Sequence, residues 1–111
     1  MSGLVESTAD ARSKTIGGNF RVRAWVRWDA SGTIDKKRNV SSIAHNSTGE
    51  FTINFTTNMK DALYAVVGMS TDDRFLTVHG NAPTKSYIRV QTTHYNGNRY
   101  NELYNSLVVF E

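Results

Sequence analysis

From residue 20 onward, hydrophobic and polar residues alternate in short runs that are separated by turn-forming residues. The first run has a hydrophobic residue at every second position, the period of a β-strand with one buried face. The residues on the face predicted to be buried are Phe20, Val22, Ala24, Val26 and Trp28. Arg21, Arg23, Trp25 and Arg27 lie on the opposite face.

Seven further strands follow at the regular spacing typical of β-sandwiches and barrels. The ranges are 33–37, 40–45, 50–56, 62–69, 75–80, 84–93 and 106–110. Residues 62–69 form a nearly continuous apolar run, which predicts a strand that is buried on both faces. No long window of helical periodicity competes after residue 20, so the pattern predicts an all-β protein of about eight strands.

Length and composition favour one domain with an N-terminal extension. A chain of 111 residues fits one core, and residues 1–19 contain only Leu4, Val5 and Ile16 as candidates for burial. We therefore divide the sequence into a lead-in segment, 1–19, and a β-domain, 20–111. No apolar run approaches the roughly 18 residues of a membrane span, and the first residues lack the plan of a signal peptide, so neither membrane insertion nor export by that route is expected.

The sequence offers little for catalysis or metal binding. The absence of cysteine excludes disulfides, thiolate catalysis and cysteine-ligated zinc. His45, His79 and His94 lack the close spacing of metal ligands, and there is no nucleophile-elbow or phosphate-loop motif. We expect a protein that is not an enzyme and that has no metal and no cofactor.

The face of the first strand that carries Arg23, Trp25 and Arg27 has two interpretations. Large aromatic residues and arginine favour the centres of interfaces, so these three residues are candidates for a contact between subunits. Together with Arg21, they are also candidates for binding single-stranded nucleic acid by stacking and charge. The net charge of +3 gives no strong support to nucleic acid, which we regard as the minor alternative.

A stretch rich in tyrosine and asparagine, residues 94–105, is the main candidate for molecular recognition. Tyrosine rings stack on sugars, and asparagine amides both donate to and accept from hydroxyl groups. The candidate receptor-binding residues are Tyr95, Asn96, Asn98, Arg99, Tyr100 and Tyr104. Asp72, Asp73 and Arg74, in another strand connection, join this surface if both loops lie at the same end of the domain.

Several motifs, in this order, resemble a module found in tail-fibre and other virion proteins of tailed bacteriophages. The resemblance spans about residues 20–111. The motifs are Arg23-Ala24-Trp25-Val26, Gly32-Thr33-Ile34, Asn39-Val40-Ser41-Ser42-Ile43, Thr48-Gly49-Glu50-Phe51-Thr52-Ile53-Asn54-Phe55, the segment 59–68, and Leu107-Val108-Val109-Phe110.

The resemblance implies an antiparallel β-sandwich, usually C-terminal on a longer fibre, that forms a homotrimer. It also implies a place on the virion surface after synthesis in the host cytoplasm, contact with other fibre proteins, and contact with a host surface glycan or protein. This chain departs from the pattern at Arg27 and Trp28, where family members often have Asn or Phe. The resemblance implies no catalytic residue. A purely structural role in virion assembly or decoration remains the alternative.

Overall fold

The computed structural model describes residues 21–71, 74–80, 83–94 and 96–111. The lead-in segment 1–19 and Phe20 therefore lie outside the described residues. Eight strands are formed, and they are β1 (Val22–Trp28), β2 (Ile34–Arg38), β3 (Val40–Ser47), β4 (Glu50–Phe55), β5 (Ala65–Ser70), β6 (Phe75–Val78), β7 (Tyr87–Thr93) and β8 (Asn105–Phe110). Within these ranges no helix has the length and apolar character needed to cross a bilayer.

The strands form two four-stranded sheets with antiparallel pairing throughout. The first sheet has the order β2-β1-β8-β5, and the second has the order β3-β4-β7-β6. Three hairpins, β1–β2, β3–β4 and β6–β7, stay within one sheet, whereas the other connections pass between sheets. The predicted antiparallel β-sandwich of about eight strands is confirmed.

The core lies between the two sheets, where alternate residues of both meet. Trp28 of β1 packs edge-on against Phe51 of β4, with ring centroids 5.7 Å apart, and neither side chain is exposed. The other fully enclosed hydrophobic residues are Ala24, Val26, Val40, Ile53, Ile88, Val90, Leu107 and Val109. The period-two pattern of the sequence therefore identifies most of the inward-facing positions correctly.

Two predictions of burial are wrong. Val22 is 44% exposed, because the register between β1 and β8 shifts between Val22 and Ala24 and moves Val22 out of phase with the buried face. β5 is not covered on both faces within the described part of the chain, since its burial alternates and Val67 and Met69 are 59% and 70% exposed.

Tyr64 closes the core just before β5. Its buried ring lies edge-on to Phe55. Its hydroxyl donates to the carbonyl oxygen of Thr84 at 2.7 Å and lies 3.2 Å from the carbonyl oxygen of Tyr87, a second acceptor. Burial raises the pKa of the Tyr64 phenol above its ordinary value. The neutral phenol is therefore the form that the fold stabilises.

Tyr64→Phe is expected to lower the free energy of unfolding by about 1 kcal/mol at neutral pH, because both carbonyl oxygens lose the hydroxyl donor. The raised pKa of Tyr64 makes part of the wild-type stability disappear as the pH rises above about 10, since the unfolded chain then releases a proton that the folded chain retains. Urea unfolding at neutral and alkaline pH measures both effects. An equally steep alkaline loss of stability in the variant would contradict this account.

Candidate ligand-binding end of the sandwich

The connection between β7 and β8 crosses one end of the sandwich, from the second sheet to the first. Midway along it, Arg99 Nη1 lies 3.8 Å from a carboxylate oxygen of Glu50 on β4. Near its end, the guanidinium carbon of Arg27, on β1, lies 4.5 Å from the ring centre of Tyr104. We call this end, with the connections that follow β1, β3, β5 and β7, the loop end.

Gly49 fixes the first half of this connection. Its amide donates to the side-chain oxygen of Asn101 at 2.7 Å, and its carbonyl accepts from the amide of Thr92 at 2.7 Å. Its φ of +68° lies in the region that favours glycine, and an added Cβ would lie 2.8 Å from backbone atoms of Tyr100. The β3–β4 turn and the β7–β8 connection therefore pack together with backbone against backbone.

Glu102 holds the second half of the β7–β8 connection against the β5–β6 turn. It is only 8% exposed, and its carboxylate accepts from the Thr71 hydroxyl at 3.1 Å and faces Arg74 Nε at 3.5 Å. The guanidinium of Arg74 also lies over the ring of Tyr100, 4.1 Å from its centre. These contacts bring the two loops that contain the candidate receptor-binding residues to the same end of the domain.

Asn105, the first residue of β8, fixes the end of the connection. Its side-chain amide donates to the carbonyl of Glu102 at 3.2 Å, and its side-chain oxygen accepts from the Ser70 hydroxyl at 2.7 Å. Leu103 and Tyr104, between these two anchors, are 66% and 49% exposed. Two large side chains thus project from a short segment whose ends are held by buried hydrogen bonds, which reduces the entropy lost when they bind a ligand.

A cleft lies on each side of this projecting segment. The Arg27–Tyr104 cleft has a volume of about 340 Å³, and its lining includes Arg27, Met69, Ser70, Thr71, Tyr104 and Ser106. The second cleft has a volume of about 350 Å³ and is lined by Asp29, Ala30, Ser31, His45, Asn101 and Leu103. Both volumes fall at the lower end of the range of small-molecule sites, which begins at roughly 300 Å³.

The β1–β2 turn beside the second cleft is organised by one carboxylate. Asp29 Oδ1 accepts from the backbone amides of Thr33 at 2.9 Å and Ser31 at 3.0 Å, and from the Ser31 hydroxyl at 2.9 Å. The hydrogen bond from Thr33, followed by that from the Ser31 side chain, lowers the pKa of Asp29. The turn is therefore held by the ionised form of Asp29.

The predicted receptor-binding residues that the structure describes have different surroundings, and the set as a whole stays a prediction. Tyr95, Asp72 and Asp73 lie outside the described residues. Asn96 and Asn98 form an exposed turn, in which the Asn96 side chain accepts from the Asn98 amide at 3.0 Å. Arg99 lies towards the second sheet, and Tyr100 and Arg74 contact each other as internal supports. Among the candidate residues that the structure describes, Tyr104 is the exposed one that lines the Arg27–Tyr104 cleft.

The outer face of β1 contains the residues proposed for contact between subunits. Trp25 is half-buried between two arginines that face carboxylates. Arg23 Nε lies 3.2 Å from Glu111, and Arg27 Nε lies 3.6 Å from Asp35. Contacts between subunits and with nucleic acid both stay predictions, and these ion pairs reduce the charge available for phosphate groups.

Sequence reasoning missed the residues that hold the loop end in place. Glu102, Asn101 and Asn105 stand in a stretch of similar polar residues, and their partners are distant in sequence. The sequence predicts an interface role for Arg27, and the structure also places its guanidinium over the Tyr104 ring. The one local signal was Gly49, which follows Ser47 and Thr48 as a typical turn glycine. In the described residues, no group of three or more histidine or acidic residues is placed to hold a metal ion.

A comparison with models of protein families, with curated proteins and with solved structures finds no match.

Proposed function

We propose that this chain is a non-enzymatic module of a phage particle that binds a host surface glycan through the Arg27–Tyr104 cleft. The observation that supports this proposal is the Tyr104 ring, which is half-exposed, carries the Arg27 guanidinium over one of its faces and belongs to a segment anchored at Glu102 and Asn105. A rigid aromatic face beside polar groups is the combination that sugar recognition uses.

The lining of the cleft suits the two kinds of surface that a sugar presents. The Tyr104 ring and the Met69 side chain offer apolar contact to the C–H face of a pyranose. The Arg27 guanidinium donates hydrogen bonds to ring or hydroxyl oxygens, and hydroxyls such as that of Ser106 both donate and accept. A cleft of about 340 Å³ suits one or two sugar units.

Several copies acting together would compensate for weak binding at one small site. The resemblance to fibre modules leads us to propose a homotrimer on the virion surface, attached to other fibre proteins. Three linked sites raise the apparent affinity by roughly 10²- to 10⁴-fold when they engage one cell surface together. A host surface protein is the alternative ligand for the same loop end.

A second candidate function is virion assembly or decoration without receptor contact. The exposed hydrophobic residues on the outer face of the first sheet favour this role, because such surfaces are typical of protein contacts. Purified domain that competes with the phage for host cells would argue for receptor binding. A failure to compete, by a protein that still binds fibre components, would argue for assembly.

Tyr104→Ala is expected to weaken glycan binding at least about tenfold, the ratio that corresponds to a loss of about 1.4 kcal/mol. Binding is measured on an array of bacterial surface polysaccharides, to which the full chain is added as many copies attached to one bead. Leu63→Ala is the matched control, because Leu63 is 88% exposed and precedes β5 at the opposite end of the sandwich. Binding by Tyr104→Ala equal to wild type, or no polysaccharide binding by the wild type, would contradict the proposal.

A further inference from the structure

The floor of the Arg27–Tyr104 cleft is a row of residues that crosses the first sheet. Met69 on β5 lies opposite Ser106 on β8, and Ser106 lies opposite Arg27 on β1. All three line the cleft. The row continues past the cleft, because Arg27 lies opposite Lys36 on the edge strand β2. Directly opposed residues of antiparallel strands share a face and have Cα atoms about 5 Å apart, so Lys36 stands next to the cleft.

A second cation follows Lys36 on the same face of β2. Arg38 lies opposite the half-buried Trp25, and it is two residues from Lys36, a distance of about 7 Å along a strand. Lys37, between them, lies opposite the buried Val26 and therefore belongs to the other face. Lys36 and Arg38 are both exposed, and we call them the β2 cations.

The carboxylates close to this strand are paired with other cations. Asp35, the acidic residue of β2, has Oδ2 3.6 Å from Nε of Arg27, and Glu111 has Oε1 3.2 Å from Nε of Arg23. Among the described residues, no carboxylate oxygen lies within 4.0 Å of a side-chain nitrogen of either β2 cation. An anion that binds the β2 cations therefore breaks no ion pair of the described chain.

We propose that the ligand of the Arg27–Tyr104 cleft is an acidic polysaccharide whose carboxylate groups bind the β2 cations. The inference rests on the proposed function and names the class of glycan that the cleft selects. One sugar contacts Tyr104 and Met69, and the chain then crosses Arg27 to reach β2. The guanidinium of Arg38 has the fork geometry for two hydrogen bonds to one carboxylate, and the ammonium of Lys36 attracts another as a point charge.

The distribution of charge favours a polysaccharide over nucleic acid. The cations lie at the β2 end of the row, whereas Ser106 and Met69, towards its other end, are uncharged. Nucleic acid carries a phosphate on every nucleotide, so its affinity depends on cations along the whole site. A glycan in which acidic sugars are joined to neutral ones matches a site that is uncharged at one end and cationic at the other.

The matched ligands for the test are an acidic polysaccharide and the same polysaccharide after its carboxyl groups have been reduced to neutral alcohols. The full chain, attached in many copies to one bead, is added to an array that holds both forms. We expect the wild type to bind the acidic form at least about tenfold more tightly, the effect of one charge-assisted hydrogen bond. This preference is measured without any variant, so it does not depend on how a substitution affects folding.

Lys36→Gln combined with Arg38→Gln tests whether the β2 cations cause the preference. Both substitutions remove charge from exposed side chains, and the double variant should bind the two forms about equally. Lys85→Gln is the matched control, because it removes an exposed charge from the β6–β7 connection, at the opposite end of the sandwich. This control should keep the preference of the wild type.

The outcomes separate this inference from the proposed function. Equal binding of both forms by the wild type would overturn the inference and leave glycan binding in place, whereas binding of neither form would overturn both. Retention of the preference by the double variant would overturn the inference, and so would tighter binding of a single-stranded oligonucleotide than of any acidic polysaccharide. Light scattering completes the test, because dissociation of an oligomer by the double variant would place β2 between subunits and not on a ligand.

Discussion

Glu102→Ala is expected to lower the free energy of unfolding by about 3 kcal/mol, the loss typical of removing one partner of a buried ion pair. The carboxylate is nearly enclosed, and its removal takes away a negative charge that faces the guanidinium of Arg74. The Thr71 hydroxyl loses its acceptor as well. Urea unfolding, followed by tryptophan fluorescence, measures the change.

Two further variants separate charge from shape in this prediction. Glu102→Gln keeps an acceptor for Thr71 and should lose less stability than the alanine variant. Asp35→Ala removes a carboxylate from an exposed ion pair with Arg27 and should change stability by less than about 1 kcal/mol. Equal losses for Glu102→Ala and Asp35→Ala would mean that Glu102 does not anchor the loop.

Gly49→Ala is expected to lower the free energy of unfolding by about 2–3 kcal/mol and to loosen the loop end, because backbone strain and a steric clash add. The positive φ disfavours a side chain, and the new Cβ would lie 2.9 Å from Arg99 Cβ in addition to its contacts with Tyr100. Thermal unfolding, with glycan binding by the same variant, measures both consequences.

Gly97→Ala is the control that isolates strain from clash. Gly97 has a φ of +87°, and among the described residues other than its chain neighbours no atom would lie within 4 Å of an added Cβ. Its substitution should lower stability by about 1 kcal/mol, the strain alone. If Gly49→Ala were no more harmful than Gly97→Ala, the close contact between the β3–β4 turn and Tyr100 would have no energetic importance.

The sequence predicts the fold well because inward and outward positions are encoded locally. Alternation at Phe51, Ile53 and Phe55 identifies the buried face of β4 without knowledge of its partner strands. At Val22 the same rule fails, because a bulge depends on how β1 pairs with β8 and not on β1 alone.

The loop end is less predictable for a related reason. Asn101 acts through Gly49, 52 residues away, and Glu102 acts through Thr71, 31 residues away. Some polar side chains of this stretch are therefore buried anchors and others are exposed. Which of the two a residue becomes depends on partners that are distant in the sequence. The composition indicates a recognition loop, while only the fold distinguishes Tyr100, which supports it, from Tyr104, which is available to a ligand.

The β7–β8 connection holds Leu103 and Tyr104 in a fixed position before any ligand arrives, because its anchors are in place without one. Backbone ¹⁵N relaxation of the full chain tests this directly. Anchoring at Asn101, Glu102 and Asn105 predicts order parameters for residues 101–105 close to those of the strands, about 0.85. Values below about 0.6 at Leu103 and Tyr104 would contradict the claim, because the segment would then be a flexible loop.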